Sequence, residues 1–278
     1  IENYRKNLYF KNEKISINDT EFKVFSQFGD DGIIQFIIEK LNLPKKYQNF
    51  LEFGVQDYIE SNTRFLLINN NWSGTICDSS KENIDKIKKS KYFWQHNLNA
   101  KSIFITRENI NNLIEDYAPK DLGLISIDID GNDYWIFKEI KIRPIFFIIE
   151  YNSLFGEENY ITIPYSDKFD RTKAHYSNLY WGASLNCIIQ EAERKKYKFI
   201  GTNSAGNNSY FIREEYFEKL NLNENSIKFN ISKFRESRNK KKEKTFLSKK
   251  DQLECIKDMI VYDLKKKSNI SIKELFNL

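Results

Sequence analysis

The chain has 278 residues, a net charge of +5, 40% hydrophobic and 30% charged residues, and a mean hydropathy of −0.62. That is enough for one full hydrophobic core with a small appendage, and no apolar run approaches the ~20 residues that a membrane-spanning helix needs. Cys77, Cys187 and Cys255 are widely separated and form no Cys-x-x-Cys pair, which argues against a zinc or disulfide framework and fits a cytoplasmic protein.

Residues 1–22 read as a polar N-terminal extension. "SQFGDDGIIQFIIEKLNL" predicts a helix with apolar Ile33, Ile34, Phe36, Ile37, Ile38 and Leu41, acids near its start, and Pro44 after its end. "NFLEFGV" predicts a first strand, "SNTRFLLINNN" a helix, "SGTICDSS" a second strand and "KENIDKIKKS" its helix. "KSIFIT" predicts a third strand before the helix "RENINNLIEDYA". "LGLISIDI" and "PIFFIIEYN" predict strands four and five, with the helix "NDYWIFKEI" between them. Strands that are nearly continuous apolar runs are buried on both faces, which means a parallel sheet.

The rhythm then changes. Residues 153–181 form an insertion rich in aromatic and polar groups. "GASLNCIIQEAERKKY" predicts a helix, and "KFIGTNSAGNNSYFIREE" a hairpin around an Asn/Ser/Gly turn. The main domain is expected over residues 23–215, and residues 216–278 as a basic, helical C-terminal extension. The basic excess gathers in "KFRESRNKKKEKTFLSKK", which reads first as a solvated face.

In an open parallel sheet, ligands bind outside the carboxyl ends of the strands. Here every strand end carries polar or acidic groups: Glu52-Phe53-Gly54, Asp78-Ser79-Ser80, Thr106-Arg107-Glu108, Asp128-Ile129-Asp130, and Glu150-Tyr151-Asn152. Helix capping is the simpler role for Asp78, Ser79 and Thr106, but five such ends in series make an acidic crevice. It disfavours a pyrophosphate, and the chain has neither G-x-G-x-x-G nor a P-loop. Acidic groups suit ribose hydroxyls, a cationic centre or a divalent metal. Asp78 is placed to accept from a ribose diol. A cationic adenosine ligand without phosphates is S-adenosylmethionine.

"EFG", "DSS" and the hairpin-closed sheet resemble a class I S-adenosylmethionine-dependent methyltransferase. "SQFGDDGII", "SIDIDGNDYW" and "FIIEYN" resemble its FkbM-like branch, and the nearest likeness is to bacterial capsule-cluster O-methyltransferases acting on nucleotide-linked heptoses. The resemblance implies an α/β fold: a Rossmann-like, doubly wound, mostly parallel seven-stranded sheet closed by an antiparallel hairpin. It implies S-adenosylmethionine as cofactor and a sugar-nucleotide partner. It also places Gln27 and Gly29 in a loop over the cofactor. The glycine-rich loop of the family is reduced here to Gly54.

In that frame Gly54 lets the backbone approach the ligand, and Glu52 or Asp57 meets the α-ammonium. Ser61, Asn62 and Thr63 cap the next helix or face the methionine carboxylate. Asp78, Ser79, Thr106, Glu108 and Asp128 complete the expected cofactor set. Asp128, Asp130 and Asp133 are crowded enough to share a proton or hold a cation. With Glu150, and Asn152 beside it, they offer hard oxygen ligands for Mg²⁺ or a similar ion. By the likeness, Asp130 is a metal ligand and Asp133 a base-like group. His175 is the second candidate for general base. Arg171, Lys173, Tyr176, Tyr180 and Trp181, in the insertion, suit a nucleotide-sugar acceptor.

The competing readings are a glycosyltransferase using the D-x-D string Asp128-Ile129-Asp130, a nucleic-acid methyltransferase, and a non-catalytic binding protein. The five strand ends favour the O-methyltransferase. A homo-oligomer is compatible with the sequence, nucleic acid is not an expected partner, and no membrane span is expected.

Overall fold

The structure, a computed structural model, describes residues 14–233 and 236–278. Residues 1–13 of the expected N-terminal extension lie outside the described residues.

Helix α1 (Asp30–Leu41) is buried along nearly its whole length, has two acids in its first turn and stops at Asn42, in the left-handed region with φ 44°. Strand β1 (Asn49–Phe53) and helix α2 (Arg64–Ile68) follow. Strand β2 (Ser73–Asp78) leads to α3 (Lys81–Lys89) and α4 (Lys91–Gln95). Then come β3 (Leu98–Ser102), α5 (Ile110–Tyr117), β4 (Leu124–Ile127), α6 (Asp133–Glu139) and β5 (Phe146–Glu150). The insertion holds β6 (Ile161–Thr162) and α7 (Arg171–Ala174). Helix α8 (Leu185–Arg194) precedes the hairpin of β7 (Tyr197–Thr202) and β8 (Asn208–Arg213).

The sheet order is β3-β2-β1-β4-β5-β8-β7. The first five strands run parallel, and β8 is antiparallel to both β5 and β7. Every residue of β1, β4 and β5 is buried, because helices cover both faces. Ile33, Phe36 and Ile37 pack on one side, Ile110, Phe137 and Ile188 on the other. This is the Rossmann-like, hairpin-closed architecture that the resemblance implied. The order reverses between β1 and β4, so the crevice between their carboxyl ends is the place for a ligand.

Two elements differ from expectation. Strand β3 ends at Ser102, not at Thr106. It is an edge strand, half-exposed along its length, and the apolar Ile103 and Ile105 lie beyond it in a loop. The C-terminal segment is also not purely helical. After α9 (Lys249–Cys255) come strands β9 (Ile260–Asp263) and β10 (Ser268–Ser271), then α10 (Ile272–Phe276). Strand β9 pairs with β6 of the insertion, giving a second, three-stranded antiparallel sheet. Leu154, Ile161 and Leu179 of the insertion share a small core with Ile256, Val261 and Ile272.

Candidate active site

Two cavities open at the carboxyl edge of the sheet. The smaller, about 120 Å³, lies against Gly54, Asp78, Ser79, Phe104, Asp128 and Asn132. Gly54 has φ +80°, and a Cβ there would sit 1.5 Å from the Asp128 carbonyl oxygen. The close approach it permits is therefore between the ends of β1 and β4. Asp78 closes the floor: Oδ2 accepts the Gln56 amide at 2.8 Å and Oδ1 the Ser80 amide at 2.8 Å. Phe104, which the sequence reading left inside a strand, is exposed in the loop after β3 and lines the cavity. Its signal was the apolar run past the true strand end. Gln56, Asn132 and Phe169 also line this cavity and were not anticipated.

Glu52 does not reach it. Its carboxylate is buried and accepts from the Ser61 hydroxyl at 2.6 Å, the Asn62 amide at 2.9 Å, the Thr63 amide at 3.2 Å and the Thr63 hydroxyl. Burial pushes its pKa up, and these four hydrogen bonds pull it down. Glu52 thus caps the start of α2 from a neighbouring strand. Ser61, Asn62 and Thr63 are turned inward onto it, and Asn62 also donates to Ser126 at 3.1 Å. Asp57 folds a local turn by accepting the Ile59 amide at 3.1 Å. None of these five residues lines either cavity, and Ser61, Asn62 and Thr63 sit at the start of α2, where capping was the alternative expectation.

Thr106 and Glu108 also line neither cavity. Because β3 ends early, the Thr106 amide donates to Asn109 at the start of α5, and Glu108 accepts from the Tyr165 hydroxyl at 2.9 Å.

The larger cavity, about 790 Å³, lies against Gln27, Phe28, Glu150, Asn152, Arg171 and Trp181, with further walls from the C-terminal segment. Gln27 and Phe28 are brought there by Asp31, whose Oδ2 accepts the consecutive amides of Val24, Phe25 and Ser26 at 2.7, 2.7 and 2.9 Å. Gly29 does not line it and packs against Glu21 instead. Asn152 spends its side chain on the loops, donating to the Trp181 carbonyl at 2.9 Å and accepting the Leu154 amide at 3.0 Å.

The cavities meet at two contacts. Asp128, on the small one, and Glu150, on the large one, join Asp133 in a group whose carboxylate oxygens lie within 4.8 Å of one another. Asp130, on the small cavity, pairs with Arg171, on the large one, at 2.5 Å. Burial raises the pKa of Asp128 and Glu150 well above the usual carboxylate range, and their neighbouring carboxylates raise it further. Asp128 keeps some exposed surface, yet burial is still the leading cause. Asp133 is raised to about 6 by burial, although its two oxygens accept the Ile129 and Gly131 amides. Glu150 Oε2 is buried with no hydrogen-bond partner.

The metal expectation is thereby redistributed. The oxygens that converge belong to Asp128, Asp133 and Glu150, whereas Asp130 stands apart, half-exposed and held by Arg171. His175 is also displaced: its Nδ1 lies 2.7 Å from the Ser177 hydroxyl, and it lines neither cavity. Lys173 pairs with Asp170 at 2.7 Å on the surface. Tyr176 lines a separate shallow cavity beside Cys255. Of the expected acceptor residues, Asn152, Arg171 and Trp181 are brought together, with Arg171 stacked 4.5 Å from the Trp181 ring centre.

The sheet order and the cleft at its switch point are those of a Rossmann-like, doubly wound fold closed by an antiparallel hairpin. No protein-family model and no curated protein matches the sequence. Among solved structures, the chain is similar to the N-terminal domain of EvdMO1 with SAH bound, at 8% identity and a TM-score of 0.42, covering 76% of this chain and 95% of that one. It is similar to PKMT2 from Rickettsia typhi in complex with AdoHcy, at 10% identity and a TM-score of 0.45, covering 70% of this chain and 55% of that one. A third similar structure is an S-adenosylmethionine-dependent methyltransferase from Clostridium acetobutylicum, at 12% identity and a TM-score of 0.42, covering 66% of this chain and 89% of that one.

Proposed function

We propose that the protein is an S-adenosylmethionine-dependent O-methyltransferase acting on a sugar hydroxyl, with the sugar carried on a nucleotide. The carrying observation is the junction between the cavities, where a carboxyl group from each side meets its partner. A methyl donor on one side and a hydroxyl on the other would face each other there.

The small cavity is below the ~300 Å³ at which ligand pockets usually begin. It suits the adenosine end, with Asp78 toward the ribose and Phe104 along the base. The methionine tail then runs past Gln27 into the larger cavity, which leaves room there for an acceptor.

Methyl transfer needs the oxygen in line with the sulfonium methyl, a place for its proton, and exclusion of water. Asp128 and Glu150 supply the second need. Their carboxyl groups come together, with that of Asp133, where residues of the two cavities touch, which places acceptors for the proton at the proposed meeting point of donor and hydroxyl. Phe169 and Trp181 of the insertion supply apolar cover.

Asp128, Asp133 and Glu150 would hold a divalent cation, and the unpartnered Glu150 Oε2 and the all-oxygen donor set fit one. Bound there, such an ion supplies Lewis-acid polarisation of the acceptor hydroxyl. The D-x-D reading loses its basis, because Asp130 is paired with Arg171 and stands outside the carboxylate group.

The test is calorimetric titration of S-adenosylhomocysteine into the purified protein. Micromolar binding is expected, and its absence at ligand concentrations of about a millimolar would remove the proposal.

A further inference from the structure

The large cavity is electrically lopsided. Glu150 and the neighbouring Asp128 make its inner end acidic. The other two carboxylates in its wall are neutralised: Glu60 pairs with Lys23 at 3.1 Å and Glu236 with Arg238 at 2.9 Å. Arg171 is satisfied by Asp130. Two further cations line the wall, Lys233 and Lys249, and neither has an ion pair among the described residues. Both come from the C-terminal segment, outside the main domain.

Lys233 is not on a loose thread. The Asn230 amide donates to the Thr202 hydroxyl at 3.0 Å, the Tyr151 hydroxyl donates to the Asn230 carbonyl, and the Ser232 amide donates to the Ser153 hydroxyl at 3.0 Å. The hairpin turn fits underneath because Gly206 has φ +78°, and a Cβ there would lie 2.4 Å from the Ser232 nitrogen. Lys249 opens a helix whose first turn is capped by the Ser248 hydroxyl, which accepts the Asp251 amide. The backbone that carries both ammonium groups is thus fixed before a ligand arrives, so little ordering cost remains beyond the lysine side chains themselves.

We infer that the C-terminal segment reads an anionic group of the acceptor, with Lys233 and Lys249 as the specificity-determining residues for a phosphate or diphosphate. The inference rests on the methyltransferase reading for the identity of the ligand, not for the charge. Two ammonium groups in the wall of one cavity, neither with an ion pair among the described residues, suit a phosphate or diphosphate, to which each would make a charge-assisted hydrogen bond. The hydroxyl end of the same molecule then lies toward Glu150. The basic segment, which in sequence reads as a solvated face, becomes a selector: phosphorylated or nucleotide-linked sugars are taken and the free sugar is not.

The test uses the full chain saturated with S-adenosylhomocysteine, titrated with inorganic pyrophosphate, GDP and UDP, beside the double variant Lys233→Ala/Lys249→Ala. Pyrophosphate or a nucleoside diphosphate should bind the wild type and weaken by about tenfold or more in the double variant, while S-adenosylhomocysteine affinity stays within about twofold of the wild type. Binding should also weaken as salt rises from about 50 to 300 mM. Wild-type protein that takes S-adenosylhomocysteine but none of the three anions overturns the inference and leaves the methyltransferase reading intact. Anion binding that the double variant retains also overturns it. Lysine-dependent anion binding in a protein that ignores S-adenosylhomocysteine supports the anion end and removes the methyltransferase reading instead. GDP or UDP bound more tightly than pyrophosphate supports a nucleotide-linked acceptor, and equal affinities support recognition of the phosphates alone.

Discussion

Asp130 and Arg171 form an ion pair across the boundary between the two cavities, Oδ1 to Nη1 at 2.5 Å. One residue belongs to the turn after β4, in the left-handed region with φ 57°, and the other opens α7 of the insertion. The pair ties the acceptor side to the donor side at the place where the reaction is proposed to occur.

Its disruption should therefore separate binding from stability. Asp130 is half-exposed, so either Asp130→Ala or Arg171→Ala should cost about 1 kcal/mol or less of folding free energy. Each should lower kcat/KM for the acceptor by about tenfold or more, with S-adenosylhomocysteine affinity nearly unchanged. A double-mutant cycle on kcat/KM should show strong coupling. Additive losses would mean that the two residues act separately.

Asp78→Ala addresses the donor side. It removes the acceptor for the Gln56 and Ser80 amides as well as the expected ribose contact. S-adenosylhomocysteine affinity should fall by about tenfold or more. Phe104→Ala should give a smaller loss by calorimetry, because a half-exposed ring contributes only part of its area. If Asp78→Ala binds like the wild type, the small cavity is not the adenosine site.

Glu52→Ala should act on stability rather than on ligand. It would remove the shared acceptor of two buried amides and two hydroxyls at the start of α2, leaving the Thr63 amide only the Ser61 hydroxyl and the Thr63 hydroxyl only Tyr58. The expected cost is about 3 kcal/mol or more, read as a shift in the urea midpoint at unchanged slope. The fraction that remains folded should bind S-adenosylhomocysteine with nearly wild-type affinity.

The buried carboxyls set a pH dependence with a definite sign. Asp30, Glu52, Asp128, Asp133 and Glu150 all have raised pKa values, with burial the leading cause. A raised carboxyl binds its proton more tightly in the folded state. The stability this contributes is full below the unfolded pKa and is lost as pH rises through the folded one. For Asp133 the window runs from its ordinary 3.8 to about 6, a loss on the order of 3 kcal/mol. Urea midpoints should fall between pH 4 and pH 7. If a cation occupies the cluster, added Mg²⁺ should restore part of the loss at pH 7. A midpoint that rises over this range would show that the carboxyls are ionised in the folded state without penalty.

The parallel series was legible because β1, β4 and β5 are unbroken apolar runs, and the hairpin because "TNSAGNNS" can only turn. The strand-end rule led to Asp78, Asp128 and Glu150, which do line the cavities. It could not tell which way Glu52 faces: alternation assigns a side chain to a face of the sheet, but whether a buried carboxylate meets a ligand or a neighbouring turn depends on tertiary contacts. "KSIFIT" misled because apolar residues wall a pocket as readily as they fill a strand. The strands "IVYD" and "SNIS" are short and joined by a lysine-rich turn without the usual Asn-Gly signal, so only their partner β6 makes them visible. His175 was singled out for its chemistry and lines neither cavity, whereas Asp130 lines the small one and pairs with Arg171.

The second sheet makes the insertion and the tail a single exchangeable module. Strand β6 cannot keep its pairing without β9, and Ile161 and Leu179 would lose their apolar neighbours without Ile256 and Val261. A chimera built to exchange the proposed acceptor side must therefore transplant residues 153–181 together with 230–278. Either piece grafted alone would arrive with an unpaired strand edge and half a core.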